Sequence, residues 1–314
     1  MNKNKNHHKI ERIYVACYKY DFWQTKICVA SIRKWYPLIE IYLIKDNLAG
    51  YFNTQELEKK YDVKIANYEY DRFGWGVSKF EPYFEKEKRK FLILDSDIVF
   101  LGSVIEYLDD FNQPFVVSAN YFEDCKSAMI KRTYYDIDKI QSALDSEFSY
   151  PGYVFNTGQI VGTSGIFDKN DFNDFIEWGN PSKLRIPNIL SNADQGILNY
   201  FLSKQEQKGT LEIGKGDFMI WGYHENVNDL DLDQIINGKG YPKLIHWAGN
   251  IYNFDSMMRQ DIIECYQKLY YEGVRYGSVK RFIENKRVKI NRIGNRIGTR
   301  YKKRLNKFKR HLLK

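Results

Sequence analysis

Residues 91–94 (FLIL) form an unbroken apolar run that stops at Asp95-Ser96-Asp97. A short strand with no polar residue on either side is stable only where both of its faces are covered, as in the middle of a wound parallel sheet. The residues before it supply the rest of such a sheet. Residues 12–17 (RIYVAC) read as a strand, 23–35 have helical spacing, 40–45 (EIYLIK) are strand-like, 54–61 make a short helix and 63–70 return to strand. After a glycine-containing loop, residues 78–84 again have helical spacing. This alternation predicts an α/β fold, a mostly parallel wound sheet with flanking helices. A chain of 314 residues, 43% hydrophobic and 16% aromatic, has ample material for its core.

The net charge of +8 is not spread evenly. Residues 275–314 hold 16 Lys and Arg against the single Glu284, a charge of +15, whereas the other 274 residues carry 32 basic against 39 acidic groups, or −7. In this basic tail Ile290, Ile293, Ile297, Tyr301, Leu305, Phe308 and Leu312 recur every three or four residues, the signature of an amphipathic helix. Such a helix can lie on an anionic leaflet, where each basic residue contributes roughly 1 kcal/mol of attraction. The same pattern also suits a helix packed on its own domain. Binding of nucleic acid through this charge is a third option, but no nucleic-acid module accompanies it, so no such partner is expected. The expected division is a polar N-terminus (1–10), a large α/β domain (11–274) and a tail (275–314), with residues 280–314 as the membrane contact. The opening residues lack the apolar stretch of a signal peptide, and about 18 consecutive apolar residues are found nowhere. The expected location is therefore cytoplasmic and peripheral, on the inner face of the membrane. Cys17, Cys28, Cys125 and Cys265 form no CxxC pair and suggest neither a zinc site nor a disulfide framework.

In wound sheets ligands bind beyond the carboxyl ends of the strands, which directs attention to the residues after FLIL. Asp95 and Asp97 at the tip of a buried strand are costly to desolvate unless a cation lies between them. Carboxylate oxygens suit Mg²⁺ or Mn²⁺, and such an ion would bridge them to the phosphates of a nucleotide. An Asp pair after a strand also serves as a turn or helix cap. Further on, Phe155-Asn156-Thr157-Gly158 precedes the apolar run 159–162 and sets an amide beside a backbone that glycine opens to close approach. Asn192-Ala193-Asp194-Gln195 begins a helical pattern, placing Asp194 and Gln195 in its first turn, where the helix dipole alone also favours an acid. His246 ends the apolar residues 244–245 and is followed by Trp247, Ala248 and Gly249. A lone histidine is commonly structural, yet imidazole can complete a metal site beside two carboxylates.

The order of these four elements resembles family 8 of the retaining glycosyltransferases, which have the GT-A fold. The resemblance covers roughly residues 11–255. It implies Mn²⁺ (or Mg²⁺) bound by Asp95, Asp97 and His246, with Asp194 and Gln195 nearest the reacting centre. It implies donor and acceptor contacts from Asn156, Thr157, Gly158, Ser96, Gly249, Ala16 and Tyr18, and from Lys79, which stands where the family has a basic residue touching the donor. The implied activity is transfer of a hexose from a nucleotide-sugar, a UDP-sugar above all, to a saccharide or lipid-linked acceptor, as in surface polysaccharide or lipooligosaccharide synthesis.

The chain departs from the family in two places. Where the family commonly has an acid near the base and ribose, residues 15–21 read VACYKYD, in which Tyr18 can stack on a base, so the pattern does not name the base. The late Gly-x-x-Lys-Pro-Trp segment is replaced by residues 249–254 (GNIYNF), with Lys215, Lys239 or Lys243 as substitutes for its lysine. Three other readings stay open. An inverting transferase would use Asp194 as base. A nucleotidyltransferase would want a glycine-rich loop after the first strand, and VACYKYD has no glycine. A non-catalytic carbohydrate-binding protein would be expected to have lost its DxD, which is intact here. Residues 120–153 read as irregular with a helical piece at 136–144, an insert suited to covering an acceptor. Tyr121, Tyr134, Tyr135 and Tyr150 within it, like Trp75 and Trp221, suit either sugar stacking or ordinary packing.

Overall fold

The computed structural model describes residues 9–74, 76–249 and 257–290. The alternation read from the sequence is present. β1 (Ile10–Tyr18), α1 (Phe22–Trp35), β2 (Glu40–Asp46), α2 (Gln55–Tyr61) and β3 (Val63–Ile65) lead through a 3₁₀ segment (Val77–Phe84) to β4 (Lys90–Leu94) and β5 (Ile98–Gly102). Next come α3 (Val104–Asp109), β6 (Phe115–Tyr121), α4 (Ala128–Thr133), α5 (Ile137–Ala143) and β7 (Tyr153–Thr163). The chain continues through β8 (Ile176–Glu177), β9 (Lys183–Leu184), α6 (Asp194–Gln207), β10 (Ile213–Lys215) and β11 (Met219–Trp221). α7 (Leu232–Asn237), β12 (Gly240–His246) and α8 (Gln260–Tyr271) follow, and residues 277–290 are again helical.

The main sheet has the order β10-β6-β7-β4-β1-β2-β3. β4 is central, as its apolar run requires, with β1 parallel on one side and β7 antiparallel on the other. Its side chains divide by the two-residue period of a strand. Phe91 and Ile93 enter one core with Tyr14, Phe80, Phe115 and Phe201, while Leu92 and Leu94 enter the other with Val15, Cys28, Val29 and Ile32. Each such side chain, once buried, contributes roughly 1.5–3 kcal/mol. All eleven residues of β7 are buried, and the segment 155–158 lies inside this strand rather than ahead of it.

Three local expectations are corrected. The strand expected over 63–70 ends at Ile65, because β3 is an edge strand whose last contact is the Ala66 N–H on the Leu43 carbonyl, 2.9 Å away. The turn at 77–84 is 3₁₀ rather than α because Pro82 inside it has no N–H to continue the ladder. Residues 120–153 are more ordered than expected. The Ser127 side chain caps α4, and Ile130, Ile137 and Ile140 are buried.

A second sheet, β11-β12-β5, sets the site. β12 runs antiparallel to β5 with His246 opposite Ile98, so the histidine arrives beside Asp97 from the far end of the chain. Beneath this sheet Trp23, Ile27, Leu101, Trp247, Ile263 and Tyr266 make a third core. Among the described residues no helix is long and apolar enough to cross a membrane. The expectations for residues 1–8, Trp75, 250–254 and the tail beyond Ile290 fall outside the described residues.

Candidate active site at the strand tips

Asp95 leaves the end of β4, and its N–H donates to the Gly158 carbonyl of β7 at 2.7 Å. Asp97 opens β5, and the Trp247 N–H donates to its carbonyl at 3.1 Å. Two strand pairings thus fix the Asp95, Asp97 and His246 side chains, whose ligand atoms all lie within 4.8 Å of one another. His246 Nε2 stands 3.0 Å from Asp97 Oδ1, with side-chain exposures of 1% and 10%. His246 Nδ1, the other ring nitrogen, is buried with no hydrogen-bond partner, and Asp97 Oδ1 has none besides this close approach. Gly158 keeps the space between them open. A Cβ there would sit 2.4 Å from His246 Cε1 and 2.8 Å from Asp95 Oδ2. Two hard oxygen donors, an imidazole, orphaned polar atoms and a cradle that one methyl would fill together fit a divalent cation.

Lys79, on the 3₁₀ segment, is buried and bridges the acids. Its Nζ lies 2.7 Å from Asp95 Oδ1, 2.8 Å from Asp194 Oδ2 and 3.2 Å from the Thr157 carbonyl. Burial works to deprotonate it, but Asp194 and Asp95 outweigh that and raise its pKa, so it remains charged. Burial raises the Asp95 carboxyl above its usual range even against the pull of Lys79. The Asp97 carboxyl goes the other way, because the neighbouring His246 overcomes the effect of burial.

Asp194 and Gln195 open α6. Asp194 Oδ2 accepts the Thr157 hydroxyl at 2.6 Å. Gln195 Oε1 accepts from the Thr157 N–H at 3.1 Å and from Asn156 Nδ2 at 3.3 Å. Asn156 Oδ1 in turn accepts the Gly158 N–H at 2.8 Å. The helix entry is strained. Asn192 and Ala193 have φ of 51° and 50°, a region that costs residues with a Cβ about 1–3 kcal/mol each. Gly76, at φ 72°, lets the preceding loop close over Asp194, since a Cβ there would lie 2.4 Å from Asp194 Oδ1.

Two clefts meet at the Lys79–Asp95–Asp194 bridge. One, of about 540 Å³, is lined by Ala16, Tyr18, Asp21, Asp46, Ser96 and Gly249 among others. The second, of about 630 Å³, adds Asn156, Thr157 and Gln195 to aromatic walls that include Tyr134, Trp221 and Tyr223. All thirteen candidate residues from the sequence therefore gather at one locus. Lys215 and Lys243 do not join them. They pair with Glu206 and Asp217, and neither they nor Lys239 lines either cleft. Of the aromatic candidates, Tyr134 and Trp221 line the second cleft, whereas Tyr135 is core and Tyr121 is exposed.

Sequence reasoning missed several contributors. Asp46 ends β2 and ties down the following loop, accepting from the Phe73 N–H at 3.1 Å and the Gly74 N–H at 2.8 Å. Its place at a strand's carboxyl end was the available signal. Asp21, at the start of α1, has its carboxyl pushed up to about 8, mainly by burial, and Asp97 nearby adds to this. Asn199, one turn into α6, clamps β7: its Oδ1 accepts the Phe155 N–H and its Nδ2 donates to the Phe155 carbonyl, each at 2.8 Å. Nothing local marks Asn199.

Comparison with solved structures decides the architecture. The apo structure of the bifunctional glycosyltransferase WbbM superposes with a TM-score of 0.56 over 90% of this chain and 52% of that one, at 14% identity. The fold is of the GT-A type. The chain spans about half the length of WbbM. Looser overlaps are found with the glycosyltransferase GlyE of Streptococcus pneumoniae TIGR4 (TM-score 0.46, 14% identity, 89% of this chain and 64% of that one). The galactosyltransferase LgtC in complex with donor and acceptor sugar analogues gives a TM-score of 0.44 at 12% identity, over 84% and 96% of the two chains. No protein-family model and no curated protein matches the sequence.

Proposed function

We propose that this chain is a glycosyltransferase of the family 8 kind, moving a hexose from a UDP-sugar to a saccharide or lipid-linked acceptor with retention. The observation that carries this reading is the junction of two clefts at one charged bridge, with a cation cradle at its edge. On this reading the cleft with Ala16, Tyr18 and Asp46 receives the nucleotide, the aromatic cleft receives the acceptor, and the sugar crosses at Asp194 and Gln195. A divalent cation, Mn²⁺ or Mg²⁺, held by Asp95, Asp97 and His246 would supply Lewis acidity toward the departing diphosphate. The chain's own groups do the rest. Lys79 ties Asp95 and Asp194 together in the floor, and Asp194 and Gln195 present fixed oxygens to the anomeric carbon as positive charge grows there.

Retention is favoured over inversion by the state of Asp194. Its Oδ2 meets Lys79 Nζ at 2.8 Å and accepts the Thr157 hydroxyl at 2.6 Å, so that oxygen is already occupied by the protein rather than aimed at an acceptor hydroxyl. The reading extends to location. Residues 277–290 turn Val279, Phe282, Ile283 and Ile290 outward, at exposures of 57%, 62%, 45% and 65%, among exposed Lys280, Lys286 and Arg287. That face, continued by the basic tail 280–314, suits an anionic cytoplasmic leaflet, with residues 11–274 as the catalytic domain. Removing residues 280–314 is expected to release the protein from anionic vesicles in a sedimentation assay, and unchanged sedimentation would remove the tail from the account.

The test of the activity is donor hydrolysis across UDP-, GDP- and other sugar nucleotides with Mn²⁺. Asp97→Asn is expected to fold normally and to lose roughly a hundredfold or more in rate, the equivalent of the several kcal/mol a bound cation supplies. Full activity in that variant, or no hydrolysis of any donor by the parent protein, would refute the proposal.

A further inference from the structure

The aromatic cleft carries a feature that sugar transfer alone does not require. Arg132, at the end of α4, lines it and forms no ion pair or side-chain hydrogen bond among the described residues. Three acids of the following stretch are engaged by lysines. Asp136 is met by Lys131 and Lys139, Asp138 by Lys126 and Lys131, and Asp145 by Lys204. The other cation of this cleft, Lys79, is held by Asp95 and Asp194. The backbone of Arg132 is anchored to the catalytic helix, because Asn192 Nδ2 donates to the Arg132 and Thr133 carbonyls at 3.4 and 3.1 Å, two residues before Asp194. Asn120, on the same wall, has a side-chain Nδ2 that is buried with no partner. A guanidinium and an amide nitrogen, both without acceptors of their own, make this wall donor-rich.

Opposite charge is confined to the floor, where Asp95 and Asp194 belong to the Lys79 bridge. The remaining lining mixes neutral polar residues with aromatic and apolar ones. Trp221 stacks on both His246 (5.5 Å, 22°) and Tyr223 (5.5 Å, 25°), so the face left open belongs to Tyr223, which is 56% exposed, with Phe122 and Met129 also lining the cleft. Stacked aromatics take the apolar face of a sugar ring, and a lone fork of N–H donors beside them takes a planar or tetrahedral anion.

We infer that the acceptor is an acidic saccharide, one bearing a carboxylate or phosphate that Arg132 reads while its ring lies on the exposed face of Tyr223. The inference rests on reading this cleft as the acceptor side of a transferase. An anionic acceptor approaching a donor diphosphate is repelled unless a fixed cation meets it, and Arg132 supplies that cation outside the reacting centre.

The test is direct binding, followed by ligand-observed NMR at constant ionic strength, of methyl β-glucoside, methyl β-glucuronide and glucose 6-phosphate. The parent protein is expected to bind at least one anionic sugar roughly tenfold or more tightly than the neutral one, the range of a charge-assisted hydrogen bond. Preference for the glucuronide assigns the anion as carboxylate, and preference for the phosphate assigns it as phosphate. Arg132→Ala should reduce the favoured sugar to the neutral level without changing methyl β-glucoside binding, and Arg132→Lys should restore part of the preference. Equal binding of all three sugars, no binding of any, or an equal loss for neutral and anionic sugars in Arg132→Ala would overturn the inference. Thermal stabilisation by UDP with Mn²⁺, recorded on the same samples, reports the donor side separately. Its absence beside a persisting anionic preference would sink the transferase reading and leave the acidic-sugar site standing.

Discussion

The floor and the outer wall of the second cleft are built on opposite principles. On the floor almost every polar atom is paired: Lys79 with two carboxylates, Thr157 with Asp194 and Gln195, Asn156 with Gln195 and Gly158. On the wall Arg132 and the Asn120 amide nitrogen have no protein partner among the described residues, and Tyr223 stands open to solvent. A buried, cross-linked floor binds fold and chemistry together, so that damage to one is damage to the other. A wall of unpaired groups on a finished scaffold can change its ligand without changing the fold. On the proposed function, catalysis would belong to the first kind of surface and specificity to the second.

Stability measurements can break this contrast. Lys79→Met removes the cation that lies between Asp95 and the largely buried Asp194, and denaturant titration should show a loss of about 3 kcal/mol. Adding Asp194→Asn to it should recover part of that loss, because the two groups share one ion pair. Asn199→Ala strands the Phe155 N–H and carbonyl inside the protein and should cost about 1–3 kcal/mol by the same assay. Ala193→Gly should act in the opposite direction. Relief of the left-handed strain outweighs the added freedom of the unfolded chain by about 1 kcal/mol, while looser placement of Asp194 lowers the turnover rate. Arg132→Ala should leave stability within about 0.5 kcal/mol of the parent. A large loss there would show that the wall is structural and would erase the distinction.

The two surfaces also differ in how far the sequence reveals them. The floor's centre was readable because its signals are local. An apolar run ending in LDSD names a strand tip, and Asp194-Gln195 ahead of an apolar period names a helix start. His246 at a strand end was readable too, but only the family resemblance grouped it with Asp95 and Asp97, because the antiparallel pairing of β12 with β5 that brings it to Asp97 across about half the chain leaves no local mark. Asn199 stayed hidden for the same reason: a helical asparagine carries no mark of the strand it will clamp. The periodicity over 78–84 masked the effect of Pro82 on the helix, and the edge position that ends β3 at Ile65 depends on the whole sheet. On the wall, what distinguishes Arg132 from the chain's other cations is the lack of a partner, a property of three-dimensional neighbours alone.

The central claim is that the two aspartates and the histidine at the strand tips hold one divalent cation. Crystals soaked with Mn²⁺ and UDP test it directly through anomalous scattering at the manganese edge. The account predicts a single strong peak bonded to Asp95, Asp97 and His246 and touching the diphosphate, absent from Asp97→Asn crystals. Nucleotide bound with no peak at those residues, or a peak that survives in Asp97→Asn, would contradict it.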